Sequence, residues 1–356
     1  MNTACAGGLN AWPDNAVQKP DCVVIDTNVW RSGLLLKTPV GVSLVYALAR
    51  QRGFLGLPEV VERELTKHVV EAGREAIKTL EKSSRIIETL TGLSFSTLPA
   101  EIALENIVEA RIAELEPILV RVPFTLEHAK AALDMVNAKL PPNSKSQEFK
   151  DSAIWQAVLT LSRKYTTHLI TNDRAFLYKT DDPSQGLAAN LKQDCVRVEG
   201  KVDVYCDLAS CLKAIRSDAP VFNRERLISL IYDAIMPQLL QEARRNRFEI
   251  REILDTEITA FRTEHADRLA VDYTVSTRCD LDPSVEETME RTDFRAITKG
   301  SCYYDGVKNS ISGHFIEDIT FAWKYSTGGS GRTSRSLGEV DPSIPFRRPD
   351  LEDRPW

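Results

Sequence analysis

Two short stretches of the chain carry consecutive apolar residues and end in an acid. Asp21-Cys-Val-Val-Ile-Asp26 and His168-Leu-Ile-Thr-Asn-Asp173 have the pattern of strands buried on both faces of a parallel sheet. Between them, residues 39–52 repeat apolar positions at helical spacing behind Pro39, and Gly53-Phe-Leu-Gly-Leu57 reads as a second strand. Pro58, a residue favoured in the first helical turn, opens a long polar-apolar helix with a break expected near Gly73. Residues 100–139 predict two amphipathic helices separated near Pro117 to Pro123, and 141–148 (PPNSKSQE) is a loop by composition. The next helix, FKDSAIWQAVLTLSRKY, carries Asp151 in its first turn. A short helix over RAFLYK, a final strand near Cys195-Val-Arg-Val198 and a helix over 206–216 close the unit. Alternating strands and helices predict a three-layer α/β/α domain with a central parallel sheet over residues 21–217.

Past Ser217-Asp-Ala-Pro220 the pattern changes. A helix of about 25 residues, beginning at Asn223, leads to a second helix and then to segments of period two. Leu269, Val271, Tyr273 and Val275 share one face of a predicted strand; Phe315, Ile319, Phe321, Trp323 and Tyr325 share a face of another. Helices followed by strands predict a smaller α+β domain with an antiparallel sheet over 221–325. Residues 1–20 read as an N-terminal arm, and 326–356, rich in Gly, Ser, Pro and Arg, as a flexible tail.

Composition narrows the picture little. With 356 residues, 43% hydrophobic and 27% charged, the chain is an ordinary globular one with room for two cores. No run of about 18 apolar residues occurs and no basic, apolar leader opens the chain, so a cytoplasmic protein without a membrane span is expected. Seven scattered cysteines without C-x-x-C or zinc spacing read as reduced thiols. A net charge of −6 disfavours a non-specific coat for nucleic acid, yet leaves a nuclease open, because several acids in one site would account for much of it.

The chemistry lies in the carboxylates. Functional groups of open parallel sheets gather outside the carboxyl ends of the strands, where Asp26 and Asp173 fall. Two carboxylates brought together there repel unless a proton or cation intervenes, and oxygen donors favour Mg²⁺ or Mn²⁺ over zinc. An acid at a strand end is also a common helix cap, and Asp151 could equally be a dipole partner at a helix start. Glu59, Glu62 and Glu64 compete on one helix; Glu64 lies nearest the buried stripe.

In this order the motifs resemble the PIN domain family. Val-Val-Ile-Asp26-Thr-Asn-Val-Trp is similar to its opening motif, Leu57-Pro-Glu-Val-Val-Glu-Arg-Glu64-Leu to its second acid motif, Asp151-Ser-Ala-Ile to its third, and Leu169-Ile-Thr-Asn-Asp173-Arg-Ala-Phe to its Thr-Asn-Asp-x-x-Phe element. The resemblance covers about residues 21–215 and implies a metal-dependent nuclease, foremost an endoribonuclease. Asp26, Glu64, Asp151 and Asp173 would ring Mg²⁺ or Mn²⁺, supported by Thr27, Asn28, Thr171 and Asn172. The interval between the second and third acids is longer than in compact PIN toxins, which argues against a toxin role more than against the fold.

Lys145, Lys150, Arg174 and Lys179 flank the acids and could meet an RNA or DNA backbone, although solvated surface is their simpler reading. His68, four residues after Glu64, reads as structural. A haloacid-dehalogenase-type phosphohydrolase would need an acid where Asn28 stands, which leaves a structure-specific DNA nuclease and a non-catalytic PIN-fold scaffold as the alternatives. The aromatic strand of the second unit, with Phe315, Phe321, Trp323 and Tyr325, could stack bases, contact a regulatory protein partner or set a homodimer, although core is its simpler reading.

Overall fold

The computed structural model describes residues 19–93, 103–143, 148–179, 182–215, 221–281, 291–325 and 330–336. The first unit is built from β1 (Asp21–Ile25), α1 (Thr27–Ser32), α2 (Pro39–Gln51), β2 (Phe54–Pro58), α3 (Glu59–Thr91), α4 (Leu104–Leu115), β3 (Leu119–Val122), α5 (Leu126–Asn137), α6 (Phe149–Ser162), β4 (Thr166–Ile170), a small hairpin of β5 (Leu177–Lys179) and β6 (Asp182–Leu187), α7 (Ala189–Arg197), β7 (Lys201–Tyr205) and α8 (Leu208–Ile215). Five strands form one parallel sheet in the order β3-β2-β1-β4-β7. The chain therefore winds outward from β1 first to one side and then to the other. The switch falls between β1 and β4, whose carboxyl ends carry Asp26 and, three residues on, Asp173, and such a crevice is where ligands of doubly wound sheets sit. Cys22, Val23, Val24 and Ile25 are fully buried, as an unalternating strand flanked by two neighbours must be.

Several elements differ from the sequence expectation. The connection near Pro117–Pro123 contains β3, whose four residues pair with β2 at the sheet edge. Cys195–Arg197 end α7, with Leu191 and Cys195 buried at helical spacing, and the strand comes later at Lys201–Tyr205. A single 3-10 turn, Arg174–Phe176, replaces the short helix before β5. The helix α3 runs unbroken through Gly73; its missing side chain admits Leu104 of α4, since a Cβ there would lie 2.8 Å from the Leu104 Cδ1.

The second unit places α9 (Arg224–Arg245) against an antiparallel sheet of β8 (Phe248–Arg262), β9 (Arg268–Leu281), β10 (Arg291–Asp305), β11 (Ser310–Tyr325) and β12 (Ser330–Ser336), in the order β12-β11-β10-β9-β8. Leu227, Ile231, Ile235 and Leu239 of α9 meet Val271, Tyr273, Val275, Ile319 and Phe321 in one apolar cluster. Three expectations are corrected. No second helix follows α9; that stretch is β8. Phe315 does not join Ile319 and Phe321 in the core, because an irregularity in the β10–β11 register at Lys299/Gly300 gives the buried place to Ile316. Ser330–Ser336, inside the stretch expected as a tail, pairs along β11.

The units share a packed contact. Phe261 and Ala270 of the second sheet belong to the apolar cluster of the first unit, and Ser43 Oγ donates to the Arg262 carbonyl at 2.7 Å. Among the described residues, six cysteines are free and no helix is long and apolar enough to cross a membrane.

Candidate active site

Asp26 leaves β1 in extended conformation as the N-cap of α1, and its amide donates to the Ile170 carbonyl of β4 at 2.9 Å. This fixes its side chain at the sheet's carboxyl edge with only 6% exposure. Thr171 Oγ1 donates to Asp26 Oδ2 at 2.9 Å and accepts from the Asp173 amide at 3.0 Å. Burial raises the Asp26 carboxyl above the usual range; the Thr171 and Thr27 hydrogen bonds oppose the shift, while the charges of Asp173 and Glu64 add to it.

Asp173 caps the following 3-10 turn, its Oδ1 accepting from the Ala175 amide at 2.7 Å. Asp151, in the first turn of α6, meets it across the crevice. The Asp151 carboxyl is pushed up to about 8, by burial first and then by a hydrogen bond with Asp173 and the charges of Asp173, Asp26 and Glu148. Two carboxyls in hydrogen-bond contact share a proton or call in a cation.

Of the three acids at the start of α3, one faces this cluster. Glu59 accepts from the Phe124 amide at 2.8 Å, and Glu62 turns to Arg121 at 3.4 Å. Glu64, rotated by about 200° from Glu62 around the helix, accepts from Thr27 Oγ1 at 3.0 Å, sits 3.1 Å from His68 Nε2 and forms an ion pair with Lys150. Burial pushes the Glu64 carboxyl up, but bonds to Lys150, His68 and Thr27 outweigh it and hold the group below the usual range. His68 thus touches a candidate ligand, and its i,i+4 spacing from Glu64 was the available signal.

The remaining candidates divide. Thr27 and Thr171 are buried and bonded to the acids, whereas Asn28, Asn172 and Arg174 are exposed. Lys150 is joined to Glu64. Lys145 and the side chain of Lys179 lie outside the described residues. Beside Asn172 a cavity of about 510 Å³ opens between the units, lined by Asp207, Asp272, Lys299 and Glu317 among others. Burial, with Glu317 and Asp207, pushes Asp272 up to about 7, against the opposing charge of Lys299.

Among the described residues, no three His, Cys, Asp or Glu side chains close into a cage for a metal ion. Mg²⁺ does not need one. It binds commonly through one or two carboxylates and keeps several waters, and the Asp151–Asp173 pair beside Asp26 supplies hard oxygen donors whose mutual repulsion a divalent ion relieves. The donor set fits such an ion.

The sequence model of the PIN domain family matches residues 23–176, a span that begins within β1 and runs through all four acids to the 3-10 turn after Asp173. No curated protein and no solved structure matches the chain. PIN domains are as a family nucleases that use divalent metals. With the parallel sheet and its order of acids already in place, the match identifies residues 23–176 of this chain as a PIN domain.

Proposed function

We propose that the chain is a Mg²⁺- or Mn²⁺-dependent endoribonuclease whose site is formed by Asp26, Asp151, Asp173 and Glu64. One observation carries the reading: Asp151 and Asp173 stand in hydrogen-bond contact beside buried Asp26, an arrangement of acids that a divalent ion would satisfy. Asp151 and Asp173 would hold the ion, with Asp26 beside them and Glu64 at the rim. When bound, the metal lowers the pKa of a water and stabilises charge on the transferring phosphoryl group. The chain's own contribution is placement. Thr171 fixes the Asp26 carboxylate, Thr27 fixes Glu64, and the Lys150 ammonium offers a cation to the phosphate at the mouth of the site. Exposed Asn28 and Asn172 can orient a substrate oxygen or water.

The test is cleavage of single-stranded RNA, structured RNA and DNA by purified protein with Mn²⁺, beside Asp26→Asn, with metal binding followed by calorimetry. Mn²⁺-dependent RNA cleavage abolished by the substitution supports the proposal. Full activity of Asp26→Asn removes its basis, cleavage of DNA alone reassigns the substrate, and metal binding without cleavage favours a binding role.

A further inference from the structure

At the carboxyl edge of the parallel sheet, the β3 side of the acidic site carries aromatic rings. Phe124 follows β3, and its amide donates to Glu59 Oε2 at 2.8 Å, tying the loop to the first residue of α3. Phe149 is the first residue of α6, directly before Lys150 and two before Asp151. The rings of Phe124 and Phe149 meet edge to face at 6.2 Å, and the His128 ring lies 6.4 Å from that of Phe124. A purely packing role would bury this cluster, yet Phe149 stays 38% exposed, while the other large residues of α6, Ile154, Trp155 and Leu161, are buried.

We propose that Phe149, braced by Phe124, is a stacking platform for one unpaired nucleobase of a single-stranded substrate. The inference rests on the nuclease reading of the neighbouring site. Phe124 follows two residues beyond Val122 at the end of β3, which in register lies two strands from the carboxyl end of β1, about 10 Å at about 4.8 Å per strand. That is the reach of one or two nucleotides. Lys150, between Phe149 and Asp151 in sequence, supplies the charge for the intervening phosphate. A ring held by an edge-to-face contact is preorganised, and every base offers a π-face, so the platform selects unstacked strands rather than a sequence.

The experiment uses the full chain without divalent metal, so that binding is separated from cleavage. Binding of fluorescently labelled single-stranded RNA, single-stranded DNA and duplex RNA is measured for the parent, Phe149→Leu and Phe149→Trp, with melting temperatures alongside. Leucine keeps apolar volume and removes the π-face. Phe149→Leu should bind single strands about 5- to 150-fold more weakly, the range one base–aromatic stack is worth, with melting unchanged. Phe149→Trp should retain affinity and show tryptophan quenching on binding, equally for RNA and DNA if the base alone is read. A parent that binds and cleaves RNA while Phe149→Leu binds as well as it does overturns the platform alone, and so does an equal loss on duplex RNA. A parent that neither binds nor cleaves any strand overturns the nuclease reading with it.

Discussion

The Thr171 hydroxyl bonds the Asp26 carboxylate at 2.9 Å, in a residue only 2% exposed, and the same oxygen accepts the Asp173 amide. One side chain therefore sets the spacing of two acids from different strands. Thr171→Val should lower kcat/KM at least about 10-fold and cost about 1.5–3 kcal/mol, the worth of a hydrogen bond to a charged group. Thr171→Ser, which keeps the hydroxyl, should restore most of both. Urea denaturation and RNA cleavage assays check the pair; a fully active valine variant would show that the bond is dispensable.

The pH dependence of stability follows from Asp151. Its folded carboxyl is raised to about 8, against about 3.9 for an unfolded Asp, so the native state binds the extra proton between those values. The associated stability is fully present below about pH 4 and is lost as pH rises through about 8. In EDTA the melting temperature should therefore carry a downward contribution over that interval. Asp151→Asn should remove it, and Mn²⁺ should raise the melting point most near pH 8, where the pair needs a cation. Scanning fluorimetry across pH, with and without Mn²⁺, reads all three.

Glu64 and Glu62 provide an internal control on one helix. Glu64→Gln removes the anion that faces Thr27, His68 and Lys150 and should reduce activity at least about 10-fold. Glu62→Gln breaks only a partly exposed pair with Arg121, worth about 0–1 kcal/mol, and should leave cleavage unchanged. Equal losses would move the site's boundary toward β3.

The shared contact between the units is testable at Phe261, 5% exposed within the first unit's apolar cluster. Phe261→Ala should cost about 3–5 kcal/mol and destabilise the PIN domain although the residue lies outside it. Chemical denaturation followed by a probe in each unit would show both affected; loss confined to the second sheet would mean that the contact contributes little.

The sequence revealed what burial makes unambiguous. Strands covered on both faces leave apolar runs, Cys22–Ile25 and the shorter Leu169–Ile170, and the acids closing them could be placed on one edge. Elements at sheet margins were less legible. Leu119–Val122 is four residues behind a proline, too short to show a period. The stretch Phe248–Arg262 mimics a helix because register irregularities after Ile250 and Ile253 shift the parity of its apolar residues. Arg291–Asp305 carries a strand for which no expectation was set, and Ser330–Ser336 hides in a tail-like composition, since a Gly/Ser/Arg edge strand is held by its neighbour's ladder rather than by a core. At the candidate site, the meeting of Asp26 and Asp173 was legible from their strand ends and the place of Asp151 from the resemblance of the motifs, whereas the bond from His68 to Glu64 depends on a side-chain direction that spacing only permits.

β1 is hydrogen-bonded on both sides, to β2 and to β4, and Asp26 follows it with an amide tied to Ile170. Its amides can exchange with solvent only when the whole sheet opens. The carboxylate at its end is thus an anvil, as durable as the fold itself, and the first turn of α6 brings Asp151 to it from outside the sheet.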